Sequence, residues 1–165
     1  TKVGYILKYA IYMERNAILS EIKQYFDIEE LVCNHVLERW GEDAWQFLDT
    51  GFLANLLALR RGVIQRPMYC NNHKKGIYQR GLRCNLCELV KEKDRPYLSA
   101  HVLGKAGDFS IEGVSGVYQM GLMRNRIKLY PVAFPVPLRM EADVSWLHVD
   151  VMPTPAGQKI YEFKA

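Results

Sequence analysis

The residues best suited to chemistry lie in SAHVLGKAGD, Ser99 to Asp108, where Gly104 and Gly107 separate His101 from Asp108. The stretch is too polar for a core strand and holds too little alanine and glutamate for a surface helix. An imidazole and a carboxylate are metal-donor types, and the glycines let the backbone turn tightly between them. A third donor is available in SWLHVDV. Read as a strand, it places Trp146, His148 and Asp150 on one face and Leu147, Val149 and Val151 on the other. The Leu/Val face suits a core and leaves the imidazole for other work. Catalytic zinc commonly takes three protein ligands and leaves a fourth position to water. It acidifies that water and polarises the carbonyl under attack. His101, Asp108 and His148 form such a set; taken alone, His148 is also readable as a plain strand residue at the surface.

The chain holds 4 cysteines. Cys70-x2-His73 and Cys84-x2-Cys87 have the ligand types and pair spacing of a structural zinc site, which would stiffen the long polar loop 71–98 and fix Arg83 beside Cys84. Free thiols and a disulfide are the alternatives. Cys33 is expected to be buried on a helix face. His35, and His73 taken singly, are expected at the surface, and Trp40 and Trp45 in the core.

SAHVLGKAGD matches the S-x-H-x-x-G-x-A-x-D signature of the zinc D-Ala-D-Ala carboxypeptidases at Ser99, His101, Gly104, Ala106 and Asp108. That family includes the vancomycin-resistance D,D-dipeptidases and several phage endolysin peptidases. SWLHVDV resembles its second zinc motif. RGLR, ending at Arg83, is similar to its S-G-Y-R segment, with Arg80 where serine is usual. The resemblance runs from about Asp27 to Pro153 and includes ELVCNHVLERWGEDAWQFLD, which is similar to the helical lead-in of some members.

The resemblance implies a hedgehog/D,D-peptidase fold and a peptidase acting on peptidoglycan stem peptides or cross-links. Zn2+ would be held by His101, Asp108 and His148. Arg83 would bind the substrate carbonyl or carboxylate, and Ser99 would position a donor or the substrate terminus. The site of action would be the bacterial cell wall or periplasm, or the enzyme would be phage-encoded and released from the cytoplasm. The chain departs from the dipeptidase pattern at Ser145, where a glutamate three residues before the last histidine is usual; serine cannot serve as general base. Glu141 is the first candidate for that proton and Asp143 the second, while Asp150 suits the orientation of an imidazole. If no carboxylate reaches the water, the alternative is a non-catalytic zinc module that binds a wall peptide or a protein partner.

These residues need elements to position them. DIEELVCNHVLERWG predicts one helix with Ile28, Leu31, Val32, Val36 and Leu37 on a face, closed by Gly41. DTGFLANLLALRRG predicts another, capped by Asp49 or Thr50 and closed by Gly62. VIQRPMYCN reads as an edge strand and AGDFSIE as a short one; GVYQMGLMRNRI reads as a helix weakened by Gly121. Helices first and strands later predict an α+β domain, with helices on a small, mainly antiparallel sheet. The 165 residues suit a single domain. It is expected as a helical extension over about 1–26, a peptidase-like core over about 27–153 and a tail over 154–165. No apolar run reaches the roughly 18 residues of a membrane span. Val3 to Met13 is interrupted by Lys8 and followed by no small-residue cleavage site, so no signal peptide is expected. The net charge of +4 is scattered, which argues against a nucleic-acid partner. A monomer is expected.

Overall fold

In this computed structural model, which describes residues 14–165, helices fill the first part of the chain and most strands the last. The apolar stretch Val3 to Met13, with much of the expected extension, lies outside the described residues. The rest of that extension joins the core. Helix α1 (Arg15–Ile22) buries Ile18 and Ile22 in the same cluster as Phe26. Arg15 fastens it by donating to the carbonyls of Leu48 at 2.9 Å and Trp45 at 2.7 Å.

The helix expected from Asp27 to Gly41 is broken into α2 (Ile28–Leu31) and α3 (Asn34–Trp40). Val32 leaves the helix to form a parallel bridge with Leu82. The Leu82 amide donates to Leu31 at 2.8 Å, and the Cys33 amide donates to Leu82 at 3.0 Å. A β-branched residue accepts that extended conformation readily. Cys33 consequently lies at the N-cap of α3, not on a helix face. Gly41, at φ +51°, closes α3, and a 3-10 segment Gly41–Phe47 follows. It buries Trp45, whereas Trp40 stays 45% exposed, edge-on to Phe47, contrary to its expected core position. Helix α4 (Thr50–Leu57) is capped by Asp49, whose carboxylate accepts from the Phe52 amide at 2.9 Å. It continues as a π-wound segment, Ala58–Ile64.

Among the described residues the five strands are β1 (Met68–Tyr69), β2 (Ala106–Ile111), β3 (Leu138–Glu141), β4 (Leu147–Asp150) and β5 (Ile160–Phe163), in the order β1-β2-β4-β3-β5. The sheet is mixed: β3 and β5 are parallel, and the other neighbours are antiparallel. The 154–165 segment, expected as a tail, therefore supplies an edge strand that satisfies the outer hydrogen-bonding row of β3. The α+β class expected from the element order is the class observed.

Strand alternation divides the sheet chemically. Phe109, Leu138, Met140, Leu147 and Val149 are buried in the core, with the Phe109 ring edge-on to Phe26 at 5.9 Å. The alternate positions Asp108, Arg139, Glu141, His148 and Asp150 all line one cavity on the other side. Helix α6 (Gly116–Lys128), preceded by the short α5 (Glu88–Lys91), buries Met120, Met123 and Ile127. Its buried Arg124 donates to the carbonyls of Val144 at 3.1 Å and Trp146 at 3.4 Å, holding the turn that leads into His148. No helix among the described residues is long and apolar enough to cross a membrane.

Phe109 fills the core immediately beside Asp108. Phe109→Ala is expected to lower unfolding free energy by about 3–5 kcal/mol in urea titrations. Tyr118→Ala, at a side chain 79% exposed, is expected to change it by less than about 0.5 kcal/mol.

Candidate functional site

Sheet register brings Asp108 directly opposite His148. The Asp108 Oδ1 to His148 Nδ1 distance is 2.7 Å. His101 arrives from the turn before β2. The Leu103 amide donates to Ser99 at 3.1 Å, the Lys105 amide donates to Ala100 at 2.8 Å, and Ser99 Oγ accepts from the Val102 amide at 3.4 Å. Ser99 thus fastens the turn as well as lining the cavity. Gly104 is required there: its φ is +67°, and a Cβ would fall 2.0 Å from the Phe47 carbonyl oxygen.

His101 Nδ1 lies 2.9 Å from the Gly81 carbonyl, which can only accept, so Nδ1 carries the proton and Nε2 is left with its lone pair. Nε2 lies 3.4 Å from Asp108 Oδ2. Gly81 also packs tightly against the end of α2: a Cβ there would sit 2.1 Å from the Leu31 carbonyl oxygen. His148 is held from its other side, with Nε2 2.9 Å from Asp150 Oδ2. Asp150 is itself locked by a forked Arg139 at 2.8 and 3.0 Å and by the Met152 amide at 2.9 Å. The expected orienting role of Asp150 has this geometry.

Charge is balanced locally. Burial disfavours the ionised Asp108, but the neighbouring His101 and His148 imidazoles outweigh it and hold the carboxyl well below the usual range. Burial disfavours protonated His148, but Asp108 and Asp150 outweigh it and raise the imidazole to about 9. Burial also acts against ionised Asp150, and hydrogen bonds from His148 and Arg139 overcome it.

Donor atoms of His101, Asp108 and His148 all lie within 4.8 Å of one another. Around a zinc ion with bonds of about 2.0–2.1 Å, tetrahedral edges are about 3.3 Å, so the set needs only small adjustments. The remaining ring nitrogens are held by Gly81 and Asp150, so His101 Nε2 and His148 Nδ1 face Asp108, and zinc would take the place of the proton that His148 Nδ1 shares with Asp108. These residues fit a zinc ion.

A cavity of about 390 Å³ opens over the three, lined also by Arg83, Ser99, Glu141 and Trp146. The Arg83 amide donates to His101 at 3.2 Å, Nε donates to Gln79 at 2.6 Å, and Nη2 lies 3.5 Å from Asp108 Oδ2. Met140 pairs with Val149 across β3 and β4; continuing that register by one residue sets Glu141 opposite His148. Asp143, the second candidate base, does not line the cavity. The chain turns there through φ +60°, leaving a carboxylate side chain 69% exposed and paired with Lys164 at 2.7 Å.

The second expected cluster has different members. Cys84 and Cys87 meet Cys33 and His35, with donor atoms all within 4.8 Å, and this Cys3His group could hold a metal ion. Cys70 is instead buried in the core, with burial pushing its thiol well above the ordinary range. His73 turns its Nε2 to the Glu29 carbonyl at 3.1 Å. Burial pushes the Cys87 thiol up to about 12. Sequence reasoning missed Cys33 and His35 because a continuous helix would have pointed them elsewhere; C-x-H in VCNH was the available signal. It also missed Arg139, whose clue was its place two residues before Glu141 in an alternating strand.

Protein-family models, curated proteins and solved structures were all compared with the chain, and none matches.

Asp150→Asn keeps the shape of the carboxylate but removes its charge behind His148. It is expected to weaken zinc binding at the His101/Asp108/His148 site about 10–100-fold, measured by competition with a chromophoric chelator.

Proposed function

We propose that the chain is a zinc-dependent peptidase that hydrolyses peptide bonds in peptidoglycan stem peptides or cross-links. The observation that carries the proposal is the convergence of two imidazoles and a carboxylate on the floor of a cavity that also contains Glu141 and Arg83. The resemblance of SAHVLGKAGD, RGLR and SWLHVDV to the zinc D-Ala-D-Ala carboxypeptidases supplies the substrate class. The α+β class with a mixed, mostly antiparallel sheet supports the reading at the level of fold class.

Zinc bound by His101, Asp108 and His148 would supply a Lewis acid at the scissile carbonyl and acidify the attacking water. Glu141 then takes the water's proton and returns it to the leaving amine, as befits a carboxylate at the position facing His148 across the sheet. Arg83 steadies the substrate carbonyl or terminal carboxylate with a permanent charge and fixed donors. Asp150 and Arg139 keep the His148 ring from rotating during turnover. The action would take place at the bacterial cell wall, reached by export or by release of a phage-encoded enzyme.

Ser145, where a glutamate is usual, favours a second reading, a zinc module that binds a wall peptide without cutting it. The two separate in one assay. Purified protein with zinc is expected to release D-alanine or new amino groups from peptidoglycan, and to stop on chelation. Glu141→Gln is expected to keep its zinc and lose about 10²–10⁴-fold in kcat. Stoichiometric zinc with no turnover on any muropeptide would leave the binding module.

A further inference from the structure

The Cys/His cluster lies apart from the cavity and is used by none of the chemistry above. Its geometry matches a specific object. A tetrahedron with zinc–sulfur bonds of about 2.3 Å and a zinc–nitrogen bond of about 2.0 Å has sulfur–sulfur edges of about 3.8 Å and sulfur–nitrogen edges of about 3.5 Å. Cys84 Sγ and Cys87 Sγ are 3.9 Å apart, and His35 Nδ1 lies 3.6 Å from the first and 3.9 Å from the second. Cys33 completes the set. A disulfide would need sulfurs about 2.05 Å apart, and the four cysteines are free.

Backbone amides also point at the sulfurs. The Leu86 amide lies 3.4 Å from Cys84 Sγ, and the Cys84 amide lies 3.3 Å from Cys87 Sγ. Such donors stabilise negative charge on sulfur and set the direction of its remaining lone pairs. A nucleophilic cysteine–histidine pair would need only one sulfur, and gives no reason for three to converge on one imidazole.

We propose that Cys33, His35, Cys84 and Cys87 hold a structural zinc ion in a closed tetrahedral site. All four positions come from protein, leaving none for water or substrate. The ion ties the N-terminus of α3 to the loop after Arg83, segments 49 residues apart at His35 and Cys84. It thereby clamps the strand-like passage in which Leu82 bridges Val32 and Arg83 reaches the cavity. The zinc assignment is independent of the peptidase reading; only the consequence for Arg83 rests on it.

The test uses the full chain purified from zinc-supplemented cells, as wild type, His148→Ala and Cys84→Ser. Zinc per chain is measured, and each protein is then reloaded with cobalt(II). Wild type is expected to hold about two zinc ions and each variant about one. The near-ultraviolet thiolate-to-cobalt charge-transfer band should persist in His148→Ala and vanish in Cys84→Ser. A wild type with a single zinc that keeps this band supports the thiolate site while removing the catalytic one. Absence of the band in wild type, or a Cys84–Cys87 disulfide in the purified chain, overturns the proposal. If Cys84→Ser does not fold, mercurial titration of wild type decides: zinc released in step with thiol modification supports the site, and thiols modified without zinc release overturn it.

Discussion

Asp108 and His148 occupy facing positions on neighbouring antiparallel strands, and most of the architecture follows from keeping them there. Side chains on a strand alternate, so a one-residue slip of β2 against β4 would exchange the two faces of the pairing. Such a slip would bring Phe109 toward the cavity and send Asp108 toward the core. The buried Phe109, Leu147 and Val149 therefore enforce the register that the polar side needs. Packing and chemistry are selected by the same alternation. The polar row is also closed electrostatically: Arg139 meets Asp150, Asp150 meets His148, and His148 meets Asp108. Each buried charge has a partner, as burial demands.

The passage from Arg80 to Cys84 is the other organiser. The Arg80 carbonyl accepts from the Asp108 amide at 2.9 Å, and the Gly81 carbonyl fixes the His101 tautomer. Leu82 pairs with Val32, Arg83 enters the cavity, and Cys84 joins the Cys3His group. Five consecutive residues thus reach both candidate metal sites. The break between α2 and α3 exists to receive this passage, since the hydrogen bonds of Leu82 replace those a continuous helix would have made.

Local patterns in the sequence were sufficient wherever neighbours in the chain decide the structure. The alternation of SWLHVDV, the Asp49 cap and the glycine turn around Gly104 all have the expected form. The set His101, Asp108 and His148 was legible because its members carry distinctive donors at strand and turn positions. Features decided by distant backbone were not legible. Val32 continues an apolar helical stripe, and nothing near it signals a partner at Leu82. That single pairing moved Cys33 to an N-cap and brought Cys33 and His35, in place of Cys70 and His73, to Cys84 and Cys87. Likewise β5 falls in a polar end segment whose strand character depends on the open edge of β3.

The most direct measurement of the central claim is anomalous diffraction from a zinc-loaded crystal, collected on both sides of the zinc absorption edge. The account predicts an anomalous peak about 2.0–2.2 Å from His101 Nε2, His148 Nδ1 and an Asp108 carboxylate oxygen. A fully loaded crystal with no peak there, and with the two imidazoles turned away from Asp108, would contradict it.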